Sequence, residues 1–270
     1  DEAIRLNSLA LEIDPMDHTA AQELGTCLYF NREYEKSVEA YERAISISPD
    51  VPGSYYFPIR VYLVWNADFA AIRETLARMP SGDSELARNY RFEVEAGDDQ
   101  YEAALAVTDE MPEYYEDQIT MHSRAAYRAR CYAAMGDPEG ARTAYQEAAV
   151  LLERMVAEND QDFRPFSDLG PVLAALGRRD EAIVAAKRAV ELMPTTKDAE
   201  AGVQPADNLA LTHAILGDYD TARNLAEERI QARPGVLTIT RMRLDPRWSG
   251  FLASPQGQEL ARKFEAHDPD

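Results

Sequence analysis

A period runs through this chain. LALEIDP, ending at Pro15, and RAISISP, ending at Pro49, carry their prolines 34 residues apart, and Ala10/Ala44 and Ile13/Ile47 keep the same spacing. A unit of that length cannot bury an apolar face alone, so repeated units have to stack on one another. Residues 1–15 read as the second half of a unit whose first half precedes Asp1, which implies a piece of a longer polypeptide.

The following unit is complete. From Ala21 it reads AQELGTCLYFNREYEKSVEAYERAISISP. Leu24, Leu28, Val38, Tyr41 and Ile45 recur at three- and four-residue spacings, the pattern of amphipathic helices. Asn31-Arg32-Glu33 interrupts it. Two helices joined by so short a turn lie antiparallel. Gly25, Ser37 and Ala44 are small enough to let helix backbones approach, and overpacking such a contact costs about 1–3 kcal/mol. Leu24, Leu28 and Tyr41 fill the seam, each worth roughly 1.5–3 kcal/mol when buried. Pro49 has no N–H to donate and ends the second helix.

This arrangement resembles the tetratricopeptide repeat family, whose pattern is W-x2-L-G-x2-Y, then A-x3-F, then A and P. Leu24-Gly25 stand at the L-G pair, Leu28 at the tyrosine, Tyr41 at the phenylalanine, Ala44 at the second small site and Pro49 at the close. Ala21 replaces the tryptophan and Ser37 the first alanine. Leu169-Gly170, Leu173, Gly177, Ala182, Ala189 and Pro194 repeat the pattern, as do Leu209, Gly217-Asp218-Tyr219, Ala222 and Pro234. Gly136-Asp137-Pro138, Ala141, Tyr145 and Ala148 mark another hairpin. Residues 52–79 and 83–109 read as degenerate units with turns near Asn66-Ala67-Asp68 and Gly97-Asp98-Asp99. The turn glycines Gly97, Gly136, Gly177 and Gly217 are 39, 41 and 40 residues apart, more than the family period. Tyr145 to Glu158 is expected to extend one second helix, and Thr195 to Pro205 to form an inserted polar loop.

The resemblance implies an all-α, right-handed superhelical α-solenoid of antiparallel helical hairpins. Its array spans 1–235, with a half repeat at 1–15 and repeats at about 18–50, 52–80, 83–110, 116–158, 163–194 and 203–234. Residues 236–270 supply capping helices. Asp245-Pro246 and Ser254-Pro255 are helix starts there, and Trp248, Phe251, Leu252 and Leu260 form an apolar face. This tail is similar to the segment closing tetratricopeptide arrays in bacterial signalling proteins that carry a kinase, cyclase or DNA-binding domain ahead of the array.

The family's function is protein–protein interaction, with the first helices of the hairpins lining a concave groove. Carried over by position, the groove residues are Gln22, Thr26, Tyr29, Tyr127, Arg130, Arg164, Ser167, Asp207 and Leu211. Arginines there would grip a carboxylate of an incoming peptide in bidentate fashion. The lysine- and asparagine-based clamp that some members use for chaperone tails is absent, since Thr26 stands where an asparagine is expected. The alternative function is structural, through self-association or spacing of neighbouring domains, so a homo-oligomer is a possible state.

Charge narrows the partners. Lys+Arg is 28 against Asp+Glu 48, a net charge of −20, which repels nucleic acid and anionic lipid over most of the surface. The lysines are only Lys36, Lys187, Lys197 and Lys263. So acidic, arginine-dominated a composition suits either a salt-rich cytoplasm or a genome rich in arginine codons. No run approaches the roughly 20 apolar residues of a membrane span, and Cys27 and Cys131 make no disulfide framework. The expected location is cytoplasmic.

No catalytic, metal or cofactor residues are expected. His18, His122, His213 and His267 lack partners at ligand spacing, and His213 takes the seam position of Leu28. Asp160 and Asp162 lack the further oxygens and the turn glycine of a calcium loop. Asp109, Glu110, Glu113, Glu116 and Asp117 read as a solvated acidic loop, or as a docking patch for a basic segment.

Overall fold

A computed structural model of the protein describes residues 2–80, 84–232 and 235–265; Asp1, Pro234 and His267 of the sequence reading lie outside the described residues. The chain divides into two compact units, residues 1–90 and 91–270. Both are built from antiparallel helical hairpins, so the architecture is the expected all-α hairpin stack.

The first unit holds α1 (Glu2–Ile13), α2 (His18–Phe30), α3 (Tyr34–Ile47), α4 (Tyr56–Trp65), α5 (Phe69–Arg78) and the start of α6 (Glu85–Gly97); a 3-10 turn, Pro52–Tyr55, leads into α4. Helices adjacent in sequence pack on each other from α1 to α5. The α2–α3 seam follows the small-residue logic. The Ser37 hydroxyl donates to the Gly25 carbonyl at 2.7 Å, and a Cβ at Gly25 would lie 2.6 Å from the Tyr41 ring. That ring stacks on Phe57 at 5.1 Å, so it has little freedom to yield.

The second unit continues with α7 (Tyr101–Asp109), β1 (Tyr114–Glu116), β2 (Met121–Ser123), α8 (Arg124–Ala134), α9 (Pro138–Glu158), α10 (Phe163–Ala175), α11 (Arg179–Leu192), α12 (Val203–Ile215), α13 (Tyr219–Gln231), α14 (Ile239–Arg243), a 3-10 turn Pro246–Trp248, α15 (Ser249–Ala253) and α16 (Pro255–Glu265). The strands pair antiparallel, Tyr115 opposite His122. This ribbon was not anticipated and occupies the stretch where the sequence suggested a first helix from residue 116; α8 starts only at Arg124. The long α9 agrees with the expected extension.

Five turns show how local chemistry sets the hairpins. An aspartate carboxylate accepts from an N–H of the following helix at Asp17, Asp68, Asp137, Asp162 and Asp218, meeting one of the donors a helix start leaves open. The residue before the cap takes the left-handed conformation at Ala67, Gly136 and Gly217. Gly97 was expected to play that part in its turn. It instead ends α6, and Asp99 carries the positive φ of 56°.

α10 contains Pro171 in its interior. A proline has no N–H for the carbonyl four residues earlier, which leaves Ser167 O without its helical donor. Asn208 of α12 supplies a replacement, its amide donating to both the carbonyl and the hydroxyl of Ser167 at 3.0 Å. Gly170 lets the helices come that close: a Cβ there would sit 2.8 Å from Ala186 and 3.0 Å from Thr212.

Candidate functional site: the first-helix faces

On α2, Gln22 and Thr26 are half-buried and Tyr29 is buried. Thr26 donates back to Gln22 O at 3.2 Å and accepts from the Tyr41 hydroxyl at 3.1 Å. Ser54 links the Gln22 side chain (3.5 Å) to His18 Nε2 (2.9 Å). The Tyr29 ring packs against Phe30 and Tyr34, and the Arg60 guanidinium lies 5.4 Å over it. Gln22, Thr26 and Arg60 are the half-exposed polar groups of this face.

The second unit treats the expected groove residues differently. Tyr127, Arg130, Ser167 and Leu211 are all buried. The Tyr127 ring stacks on Phe92 at 4.1 Å. Arg130 lies over both rings at 5.3 and 5.6 Å and donates to Glu93 at 2.9 Å. Asp207 is tied to Arg229 at 2.9 Å. Arg164 forks onto Asp162, reaches Glu116 at 3.4 Å and bonds the Asp117 carbonyl, so it fastens the ribbon to α10. Tyr127 and Arg130 come together; Arg164 is directed to the ribbon instead.

Four charged residues that the sequence did not connect with Arg130 complete the arrangement around it. Glu93 of α6 takes Arg130 on one carboxylate oxygen and Arg241 of α14 on the other, at 2.9 and 3.0 Å. Asp245 lies 3.9 Å from Arg130 and is gripped by Arg247 at 2.6 Å. Burial alone would raise the Glu93 carboxyl, but the Arg130 and Arg241 guanidinium groups outweigh it and hold the group at about 2. Asp245 is likewise held well below the carboxylate range, Arg247 and Arg130 overcoming its burial. Glu93 sits in a helix between Phe92 and Val94, both fully buried, and a charge so placed needs a partner.

The acidic cluster is neither bare nor simply solvated. Asp109 pairs with Arg128 (2.7 Å), Glu110 with Arg91 (3.2 Å), Glu113 with Arg154 (3.6 Å) and Glu116 with Arg164. Asp117 accepts from the Ile119 and Thr120 amides and shapes the ribbon turn. A cleft of about 720 Å³ beside it is lined by Arg124, Arg128 and Arg154 as well as Asp109, Glu113 and Glu147. Its arginines are already engaged, Arg124 by the Met111 carbonyl. His213 is buried in its seam and meets Asp218 at 2.9 Å. Both cysteines are free thiols, and burial pushes Cys131 up to about 11. No group of acidic, histidine or cysteine side chains fit to hold a metal occurs among the described residues, and no described helix is long and apolar enough to cross a membrane.

Comparison with known proteins finds a repeat model in two stretches of the chain. Tetratricopeptide repeat models match residues 18–51 and residues 127–150. No curated protein matches the chain. Among solved structures, YrrB, a TPR protein with an unusual peptide-binding site, is 16% identical, with 91% of this chain and 95% of that one covered and a TM-score of 0.27. TTC0263, a thermophilic TPR protein of Thermus thermophilus, is 20% identical, with 88% and 100% covered and a TM-score of 0.36. With such TM-scores neither superposes well over its whole length. The chain is thus a series of antiparallel helical hairpins, two segments of which match the tetratricopeptide repeat.

Proposed function

We propose that this chain is a protein-interaction module that holds a peptide or protein on the first-helix face of its hairpins, as the regulatory part of a larger cytoplasmic signalling protein of bacterial type. The observation that supports it most is the repeated hairpin itself, which presents Gln22 and Thr26 half-exposed beside Arg60 on one face of the first unit. The tail's similarity to the segment that closes such arrays supports the signalling context. The net charge of −20 favours a partner with a basic surface and an association rate that falls with salt. Selection of peptides from a random library against the intact chain, followed by calorimetry, tests the reading. Selected peptides should bind Gln22→Ala and Arg60→Ala chains about 5- to 20-fold more weakly, as polar contacts at an interface edge do. Peptides indifferent to both substitutions would remove the reading.

Self-association is a second reading, and α1 favours it. Leu6, Leu9, Ile13 and Met16 form an exposed stripe, with Ile13 78% accessible. Of their repeat counterparts, Ala40 is buried and Ile47 half-buried, while Arg43 and Asp50 are exposed polar residues. Light scattering of wild type and Leu9→Glu/Ile13→Glu decides it: a wild-type monomer excludes the reading, and a dimer that the pair of glutamates dissolves supports it.

A further inference from the structure

A segment of the chain itself packs on two first helices of the second unit, α8 and α12, and reaches a third, α6, through one ion pair. After α13 the chain returns as Thr238–Trp248, and its 3-10 turn packs on α12 and α8. The segment makes two kinds of contact. Ile239, Met242 and Trp248 join Ala210, Leu211 and Ala214 of α12 in one apolar cluster. On the other side its charges reach further: Arg241 donates to Glu93 at 3.0 Å across 148 residues of sequence, and Asp245 faces Arg130 at 3.9 Å. Arg247 closes on Asp245 from within the segment. Arg130 and Leu211 are two of the positions expected to greet a foreign peptide. Here they greet the chain's own.

We infer that this face is a binding surface whose occupant is the chain's own Thr238–Trp248, and that a foreign peptide of the same chemistry enters only when the segment lets go. The chemistry is readable from the occupant: an arginine for Glu93, an aspartate four residues later for Arg130, and an aromatic ring three residues beyond for the α12 pocket. A carboxylate facing outward from α6 and an arginine facing outward from α8 set the order of charges, so a peptide with the signs reversed meets like charge at both positions. Arg241 is the weak point, a third exposed while Arg130 is 6% exposed. The inference rests on the peptide-binding reading and locates where, in the second unit, that binding is held closed.

Hydrogen exchange on the intact chain separates a self-ligand from an ordinary piece of core. Segments that open on their own exchange faster than the core they rest on. The amides of 239–248 should exchange at least about tenfold faster than those of Phe163–Ala175 in α10, and Arg241→Ala should widen that gap about tenfold more. A fluorescent peptide of residues 236–250 should then bind Arg241→Ala at least about tenfold more tightly than wild type, since its site is open more of the time. Should Arg241→Ala fail to fold, Arg241→Lys keeps the charge, gives up the guanidinium donor and should show the same changes in smaller degree. Equal exchange of 239–248 and α10, or peptide binding no better in either variant than in wild type, would overturn the inference. Independent opening of the segment together with an empty library selection would sink only the proposed function.

Discussion

Both units of this molecule contain ring contacts, but they differ in where their charges lie. In the first, ring stacks join elements that are distant in sequence: Tyr34 on Trp65, Tyr41 on Phe57 and Tyr56 on Tyr90, with centroids 6.3, 5.1 and 5.1 Å apart, while its Lys36–Glu33 and Arg78–Glu42 pairs lie at the surface. In the second, Glu93, Asp245 and Arg247, each largely but not fully buried, form an ionic chain around the buried Arg130, and the half-buried Asn208 amide serves the carbonyl that Pro171 leaves without a helical donor. Ring contacts are indifferent to acid and tolerant of exchange for other apolar groups. Buried charges are not, because removing one leaves its partner uncompensated. The same hairpin plan therefore yields a unit insensitive to acid over its ring contacts and a unit poised on charge.

The most damaging way to test that contrast is to take one charge away. Glu93→Gln leaves the buried Arg130 with only the more distant Asp245 carboxylate as a counter-ion and should destabilise the second unit by about 3 kcal/mol, read by chemical denaturation with exchange-resolved mass spectrometry. Acid should do nearly as much. Glu93 titrates at about 2 when folded against about 4.3 unfolded, so its contribution is complete above pH 4.3 and lost as pH falls toward 2, on the order of 3 kcal/mol. A first unit that lost protection over the same interval to the same extent would break the comparison. Asn208→Ala strips the Ser167 carbonyl of its substitute donor and should cost about 1–3 kcal/mol; adding Pro171→Ala, which restores the helical N–H, should return most of it.

Two smaller effects compare equivalent positions. Gly25→Ala places a methyl against a ring pinned by Phe57 and should cost about 1–3 kcal/mol, and trimming that ring with Tyr41→Leu should make the alanine less costly than it is alone. In the hairpin turns the left-handed residue is Arg32 or Ala67 in the first unit and Asp99, Gly136, Gly177 or Gly217 in the second. Ala67→Gly relieves a strained φ and Gly177→Ala creates one, so their thermal shifts should be opposite in sign, each about 1 kcal/mol or less.

Much of the fold was legible. Leu24-Gly25 and Leu169-Gly170 marked the close approaches, and Gly136-Asp137 and Gly217-Asp218 marked turns whose aspartates do cap the next helix. The departures have local causes. Asp99 took the left-handed turn position because asparagine and aspartate tolerate it, and Gly97 was then left to end its helix. The ribbon at 114–123 is carried by three-residue strands, too short for alternation to register. The groove residues were assigned by position within a repeat, which gives the face of a helix but not what lies over it. Tyr127, Arg130 and Leu211, assigned to that face by position, are buried.

The period, the hairpins, their turns and their caps were therefore determined by the sequence alone, because each depends on neighbours a few residues away or one repeat along. The tertiary structure alone decided that Arg241 would meet Glu93, that Asp245 would face Arg130, and that Asn208 would serve the carbonyl Pro171 leaves open. Those pairings join residues tens to more than a hundred positions apart, and no periodic signal fixes which charge a returning segment will bring to a buried partner. Only the low-dielectric interior, where an unmatched charge is costly, enforces the match once the chain has folded back.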